Sequence, residues 1–180
     1  MPRIAVQAQA NEPLAGCVIM AGAVRPMEDL LVEQAEYVLG LQPASTAGTL
    51  FLEALKERVR AVKADDLSID TPADTLPLGV PAIYWLALRG YNAPAEALQC
   101  SAPMLILQGG RDYQVTAADF RLWQDGLQGQ SRYSFKFYEN LNHLFMAGQG
   151  MATPTEYLHK AGHVDGGVLD DIRNWLNGLK

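Results

Sequence analysis

The sequence is short of cysteine, of positive charge and of long apolar runs, and each shortage closes off a class of function. Its two cysteines, Cys17 and Cys100, lie far apart in the chain, each in apolar surroundings. That usage fits structural thiols in a reducing compartment, not a disulfide framework or a metal site. Lys and Arg number 14 against 20 Asp and Glu, for a net charge of −6. Phosphate binding needs a basic face, so nucleic acid is not an expected partner. No stretch approaches the roughly 20 apolar residues that span a bilayer. The opening Met1-Pro2-Arg3-Ile4-Ala5-Val6-Gln7 has no apolar core of the kind a signal peptide needs. The expected setting is cytoplasmic, with no membrane partner. Internal repeats and low-complexity tracts are absent too.

What is present is enough apolar material for one core: 49% of 180 residues are hydrophobic. The residues 1–180 are expected to form a single domain. Residues 2–11 suit a helix tail closed by Pro13. Ala15–Ala21 is a continuous apolar run between turn residues, as in a strand buried on both faces of a parallel sheet. Met27–Leu39 has helical apolar spacing, with Gly40 as its C-cap. A second helix is predicted from Ser45 to Lys63, with Leu50, Phe51, Leu55, Val59 and Val62 on one side. Asp65–Ala97 carries several prolines and the aromatics Tyr84, Trp85 and Tyr91, and reads as a loop with one short helix. Met104–Leu107 is the next strand, Phe120–Leu127 a helix, and the alternating Ser134–Tyr138 a strand near a sheet edge. A last helix, Val168–Leu179, should bury Val168, Leu169, Ile172, Trp175, Leu176 and Leu179. The alternation of strands and helices predicts an α/β fold with a mostly parallel sheet of about three strands.

Open α/β sheets place their sites just past the C-terminal ends of strands. Two polar segments sit there. In Gly109-Gly110-Arg111-Asp112 the glycines permit a sharp turn that leaves Asp112 on the rim. In Asn140-Leu141-Asn142-His143-Leu144-Phe145 a histidine follows the next strand. Parallel neighbours lie roughly 5 Å apart, so Asp112 and His143 can hydrogen-bond, the arrangement that orients a general base. Plainer readings stand beside this one. Asp112 also suits a turn, or the cap of a helix beginning near Val115, and His143 a satisfied histidine at the edge of a core. Arg111 fits an ion pair or turn contact better than a substrate ligand. His159 and His163 have a spacing that on a helix can bind metal, but Gly162, Gly166 and Gly167 oppose a helix and no third ligand is near. No metal or cofactor is expected.

Pro103-Met104-Leu105-Ile106-Leu107-Gln108-Gly109-Gly110-Arg111-Asp112 resembles the acid-bearing segment of the α/β-hydrolases, an apolar strand followed by G-x-x-D. Tyr138-Glu139-Asn140-Leu141-Asn142-His143-Leu144-Phe145 is similar to the segment carrying their histidine. Leu14–Gly22 resembles the strand after the nucleophile helix, and Arg25–Leu30 resembles bacterial esterase-like members with a helical lid. The resemblance implies a three-layer, partial α/β-hydrolase sheet with lid helices over about 27–97. It gives Asp112 and His143 as the acid and base of a Ser-Asp-His triad that cleaves carboxylic esters or related acyl compounds. Tyr84 and Trp85 would then help to roof an acyl group, although packing between lid and core is the plainer role for Trp85.

The family's nucleophile stands in a G-x-S-x-G elbow, and no such elbow occurs here. Ser45, Ser68 and Ser101 precede Asp112, and none has glycines at both flanking positions. Ser45 reads as a helix cap and Ser101 lies at the wrong end of its strand. Cys17, inside a strand, would be inert. Because Met1–Ala5 resembles the helix just downstream of the elbow, the chain is expected to be a C-terminal half, lacking nucleophile and oxyanion hole and inactive by itself. The Ala15–Ala21 strand would then have an open edge. A homodimer through that edge, or a separate N-terminal half, is the expected partner, with a small acyl or ester substrate if the triad is rebuilt. The alternative is a non-catalytic assembly or binding module that kept the fold.

Overall fold

The structure, a computed structural model, describes residues 14–158 and 162–179, so the helix expected over 2–11 lies outside the described residues. The chain divides into two compact units, one of residues 14–24 and 92–179 and the other Arg25–Tyr91.

The first unit is built on a three-stranded parallel sheet. Its strands are β1 (Cys17–Met20), β2 (Met104–Gly109) and β3 (Tyr133–Tyr138), in the order β1-β2-β3. Ile19 pairs with Ile106, and Ile106 with Phe135. The central strand is buried along its whole length, which explains its unbroken apolar run. Its alternate residues serve two helical layers. Leu105 and Leu107 face Val168, Ile172 and Trp175 of the last helix, Gly166–Gly178. On the opposite face Phe120 of the helix Ala117–Leu127 meets Phe135 and Phe137 edge-on or tilted, with ring centroids 6.0 and 5.5 Å away. Helix, sheet and helix thus make a three-layer α/β arrangement on a small parallel sheet.

Helix Ala117–Leu127 also anchors the segment that leaves β1. Trp123 donates its indole N–H to the Gly22 carbonyl at 2.7 Å. The buried Asp119 accepts the Val24 amide at 2.9 Å. A short helix, Ala93–Leu98, precedes β2, and the Tyr133 hydroxyl donates to its Ala97 carbonyl at 3.0 Å.

The second unit contains helices Met27–Gly40, Thr46–Lys63 and Ala82–Leu88, with two single 3-10 turns at Ala73–Thr75 and Pro77–Gly79. Its core is Val62, Leu67, Leu76, Ala82 and Trp85. Trp85 is a packing residue, and its indole N–H donates to the Val80 carbonyl at 3.2 Å. Arg89 donates to the Val62 and Ala64 carbonyls at 2.7 and 2.9 Å, satisfying acceptors that the end of the preceding helix leaves open. Ser45 is the N-cap of that helix, its hydroxyl accepting the Gly48 amide at 3.1 Å.

Several expectations need correction. Of the five residues expected along one face of Thr46–Lys63, only Leu55, Val59 and Val62 are buried; Leu50 and Phe51 are exposed. They lie one turn ahead of Leu55, beyond the reach of the unit's core. In the final helix Val168 is buried, whereas Leu169 and Leu176 are exposed. The 65–97 stretch carries two short helices and two 3-10 turns instead of one helix, its prolines starting elements as well as breaking them. Gly40 is the last helical residue of its helix, capped by Leu41 in a right-handed conformation. Cys17 and Cys100, distant in sequence, are neighbours, the thiol of one hydrogen-bonded to the other. Both are free thiols, and burial, followed by the neighbouring Cys100, raises the pKa of Cys17.

Candidate active site

The sheet ends in two loops that lie against one another, backbone to backbone. The Gly110 amide donates to the Tyr138 carbonyl at 2.8 Å and the Arg111 amide to the Leu141 carbonyl at 2.9 Å. The approach is close enough to demand glycine. A β-carbon on Gly109 would stand 2.5 Å from the Leu141 carbonyl oxygen, and one on Gly110 2.6 Å from that of Glu139. The Gly-Gly pair therefore serves contact with the second loop as much as the turn itself.

Asp112 emerges from this turn with its side chain fully buried. Oδ1 accepts the amides of Gln114 and Val115 at 2.8 and 3.0 Å. Oδ2 faces the Nε2 of the buried Gln108 at 3.3 Å and Nδ1 of His143 at 2.8 Å. Asp112 is thus a turn residue and a histidine partner at once; the next helix is capped by Thr116. One carboxylate oxygen holds the loop and the other holds the imidazole. Two amides and an imidazole offset much of the cost of burying the charge.

His143 sits in a tight loop organised by Asn142, which is fully buried. The Asn142 side-chain oxygen accepts the amides of Leu144 and Met146, at 3.0 and 3.1 Å, wrapping the backbone around the histidine. Phe145 has a positive φ of 56°, rare for a bulky residue. Its amide donates to the Asn142 carbonyl at 2.9 Å, and its carbonyl accepts from the Asp165 amide at 2.9 Å. Its ring is buried edge-on against Tyr138. These contacts offset a conformational cost of about 1–3 kcal/mol. The imidazole keeps 27% of its side-chain surface exposed. With Nδ1 turned to Asp112, Nε2 is the nitrogen left for proton exchange with a reactant.

Arg111, as expected, forms an ion pair, meeting Glu156 at 2.6 Å. Tyr113 stacks at a tilt on Tyr157, centroids 6.1 Å apart, and burial raises the pKa of the Tyr157 phenol. Glu156 and Tyr157 belong to one short helical turn, Thr155–Leu158. Sequence reasoning missed both, along with Gln108, because nothing local in their surroundings marks them. Ser45 is occupied as a helix cap. His163 bonds its neighbour's carbonyl, Val164, at 3.1 Å outside any helix, while His159 lies outside the described residues. Among the described residues no helix is long and apolar enough to cross a membrane.

No family model matches the chain. It is similar to the esterase EstD of Thermotoga maritima, with 36% identity over 177 residues, 97% of this chain. The chain spans 39% of that esterase's length. Among solved structures it is similar to the monoacylglycerol lipase of Paleococcus ferrophilus, at 16% identity and a TM-score of 0.46, covering 99% of this chain and 64% of the lipase. A membrane phospholipase A described as a bacterial virulence factor gives 21% identity and a TM-score of 0.42, with 96% and 55% covered. The chain carries a three-stranded parallel sheet flanked by helices and is related in sequence to an esterase, which supports a hydrolase lineage.

Proposed function

We propose that this chain supplies the acid and the general base of a serine ester hydrolase. The observation that carries the reading is the buried Asp112, fixed by two amides and 2.8 Å from Nδ1 of a partly exposed His143. In the proposed reaction Nε2 of His143 takes the proton of a serine hydroxyl as the oxygen attacks an ester carbonyl. The same nitrogen then returns it to the leaving alcohol. Asp112 holds the imidazole in the tautomer with hydrogen on Nδ1 and stabilises the charged form. The sequence relationship to an esterase favours a small carboxylic ester or related acyl compound as substrate.

Because the 180 residues contain no G-x-S-x-G, the nucleophile and its oxyanion donors are assigned to polypeptide outside them. The chain by itself should then be a poor catalyst, since those two elements drive most of acyl transfer. Residues 27–97 are assigned the role of lid, on their helices and their place in the chain. A fluorophosphonate probe tests the assignment of the nucleophile. The isolated chain should remain unlabelled; labelling of Ser45, Ser68 or Ser101 that His143→Ala abolishes would overturn it.

A second reading is favoured by the missing elbow together with the position of β1 at one side of the three-stranded sheet. Here the chain is a non-catalytic assembly module that pairs with a copy of itself through β1. Light scattering at micromolar concentration checks it, and a monomer would remove the homodimer from consideration.

A further inference from the structure

The Asp112–His143 pair depends on two separate loops holding their spacing, and one carboxylate from a third segment ties them together. Glu156 stands well away from both in sequence, on the turn Thr155–Leu158. Its Oε1 accepts from Nη2 of Arg111 at 2.6 Å. Its Oε2 accepts from Nη1 of Arg111 at 3.3 Å and from Nδ2 of Asn142 at 3.1 Å. Arg111 is the residue immediately before the acid, and Asn142 the residue immediately before the histidine. The carboxylate therefore grips each loop one residue from its functional side chain.

Both grips are firm. The Arg111 side chain is 8% exposed and its remaining donors are spent on backbone, Nε to the Gly150 carbonyl at 2.8 Å and Nη2 to that of Gln149 at 3.2 Å. Its guanidinium lies so close to Gly148 that a β-carbon there would come within 2.0 Å of Nη1. Asn142 cannot turn to another acceptor without releasing the Leu144 and Met146 amides that shape the histidine loop. Removing Glu156 leaves a buried cation without its counter-charge and a buried amide without its acceptor, and only the direct backbone contacts between the loops then hold their spacing.

We infer that Glu156 is a positioning residue for His143, acting through Arg111 and Asn142 to set the distance between the acid and the base. The inference rests on the proposed role of the pair, but its test does not need catalysis.

The test is nitrogen-15 and proton NMR of the His143 ring in the full chain. The wild type should show a single tautomer protonated at Nδ1, with a low-field, slowly exchanging proton that Asp112→Asn removes. Glu156→Ala should lose that proton signal and give tautomer-averaged ring shifts, while the amide signals of the three strands stay in place. Glu156→Gln keeps the size of the side chain and serves if the alanine variant does not fold. It turns an amide toward one of two donors and should weaken the signal. A structural staple alone would lower the denaturation midpoint without changing the tautomer. A folded variant with the wild-type His143 spectrum overturns the positioning role and leaves the Asp112–His143 reading standing. Absence of the low-field signal in the wild type overturns both.

Discussion

At the scale of single residues, the pair of loops is a set of contacts with little slack, and its glycines are the sharpest case. Gly110→Ala forces a methyl group to within 2.6 Å of the Glu139 carbonyl oxygen, a backbone atom that cannot swing away. We expect a loss of about 1–3 kcal/mol, from strain on a packed contact. Urea denaturation monitored by tryptophan fluorescence measures it, and an unchanged midpoint would mean the loops are not packed as described. Asn142→Ala removes one side-chain acceptor from two backbone amides and should cost about 1–3 kcal/mol by the same assay.

A third residue bears on pH. The hydrogen bond from Lys136 holds the Asp171 carboxyl below its ordinary value of 3.8, helped by the Tyr138 hydroxyl. A carboxyl depressed in the folded state contributes stability above its unfolded value, and that contribution is lost as pH falls through the folded value. Asp171→Asn should therefore lower the melting midpoint slightly at neutral pH and converge on the wild type as pH falls below about 4. The group is partly exposed, so the effect is small. A difference from wild type that stays the same at neutral and acid pH would contradict it.

At the scale of elements, legibility in sequence followed burial. Met104–Gly109 is buried on both sides, so its unbroken apolar run has one meaning, and the Gly-Gly and Asp that follow could be placed on the rim. Asn-Leu-Asn-His was placed after the next strand by that strand's alternation, which marks it as partly exposed. Leu50, Phe51, Leu169 and Leu176 continue a helical stripe past the point where another element covers it, and periodicity carries no record of where the partner stops. The prolines of 65–97 read as breakers, yet Pro77, Pro81 and Pro94 stand at the starts of short helices or turns. Glu156 was illegible because its partners are 45 and 14 residues away, and no local pattern encodes them. The contact between Cys17 and Cys100 was hidden for the same reason. It arises from the parallel register that sets Cys17 beside Met104. Ser45 shows the opposite, a cap legible from its place ahead of a helical run. Ser45→Ala should cost about 1 kcal/mol in the helical unit, read from the thermal midpoint.

At the scale of the whole molecule, the chain presents a hydrogen-bonded Asp112–His143 pair on the rim of its sheet, with no G-x-S-x-G among its 180 residues. These facts meet if the pair works with a serine carried elsewhere, as the 39% coverage of the related esterase invites one to ask. The most direct measurement is a chimera in which this chain replaces the matched segment of the Thermotoga maritima esterase. Its hydrolysis of a short-chain p-nitrophenyl ester is then followed with and without His143→Ala and Asp112→Asn. The account predicts an active chimera whose kcat falls by about 10³-fold or more in either variant, the loss expected when a base or its orienting acid is removed. A chimera equally active without the His143 imidazole would contradict it.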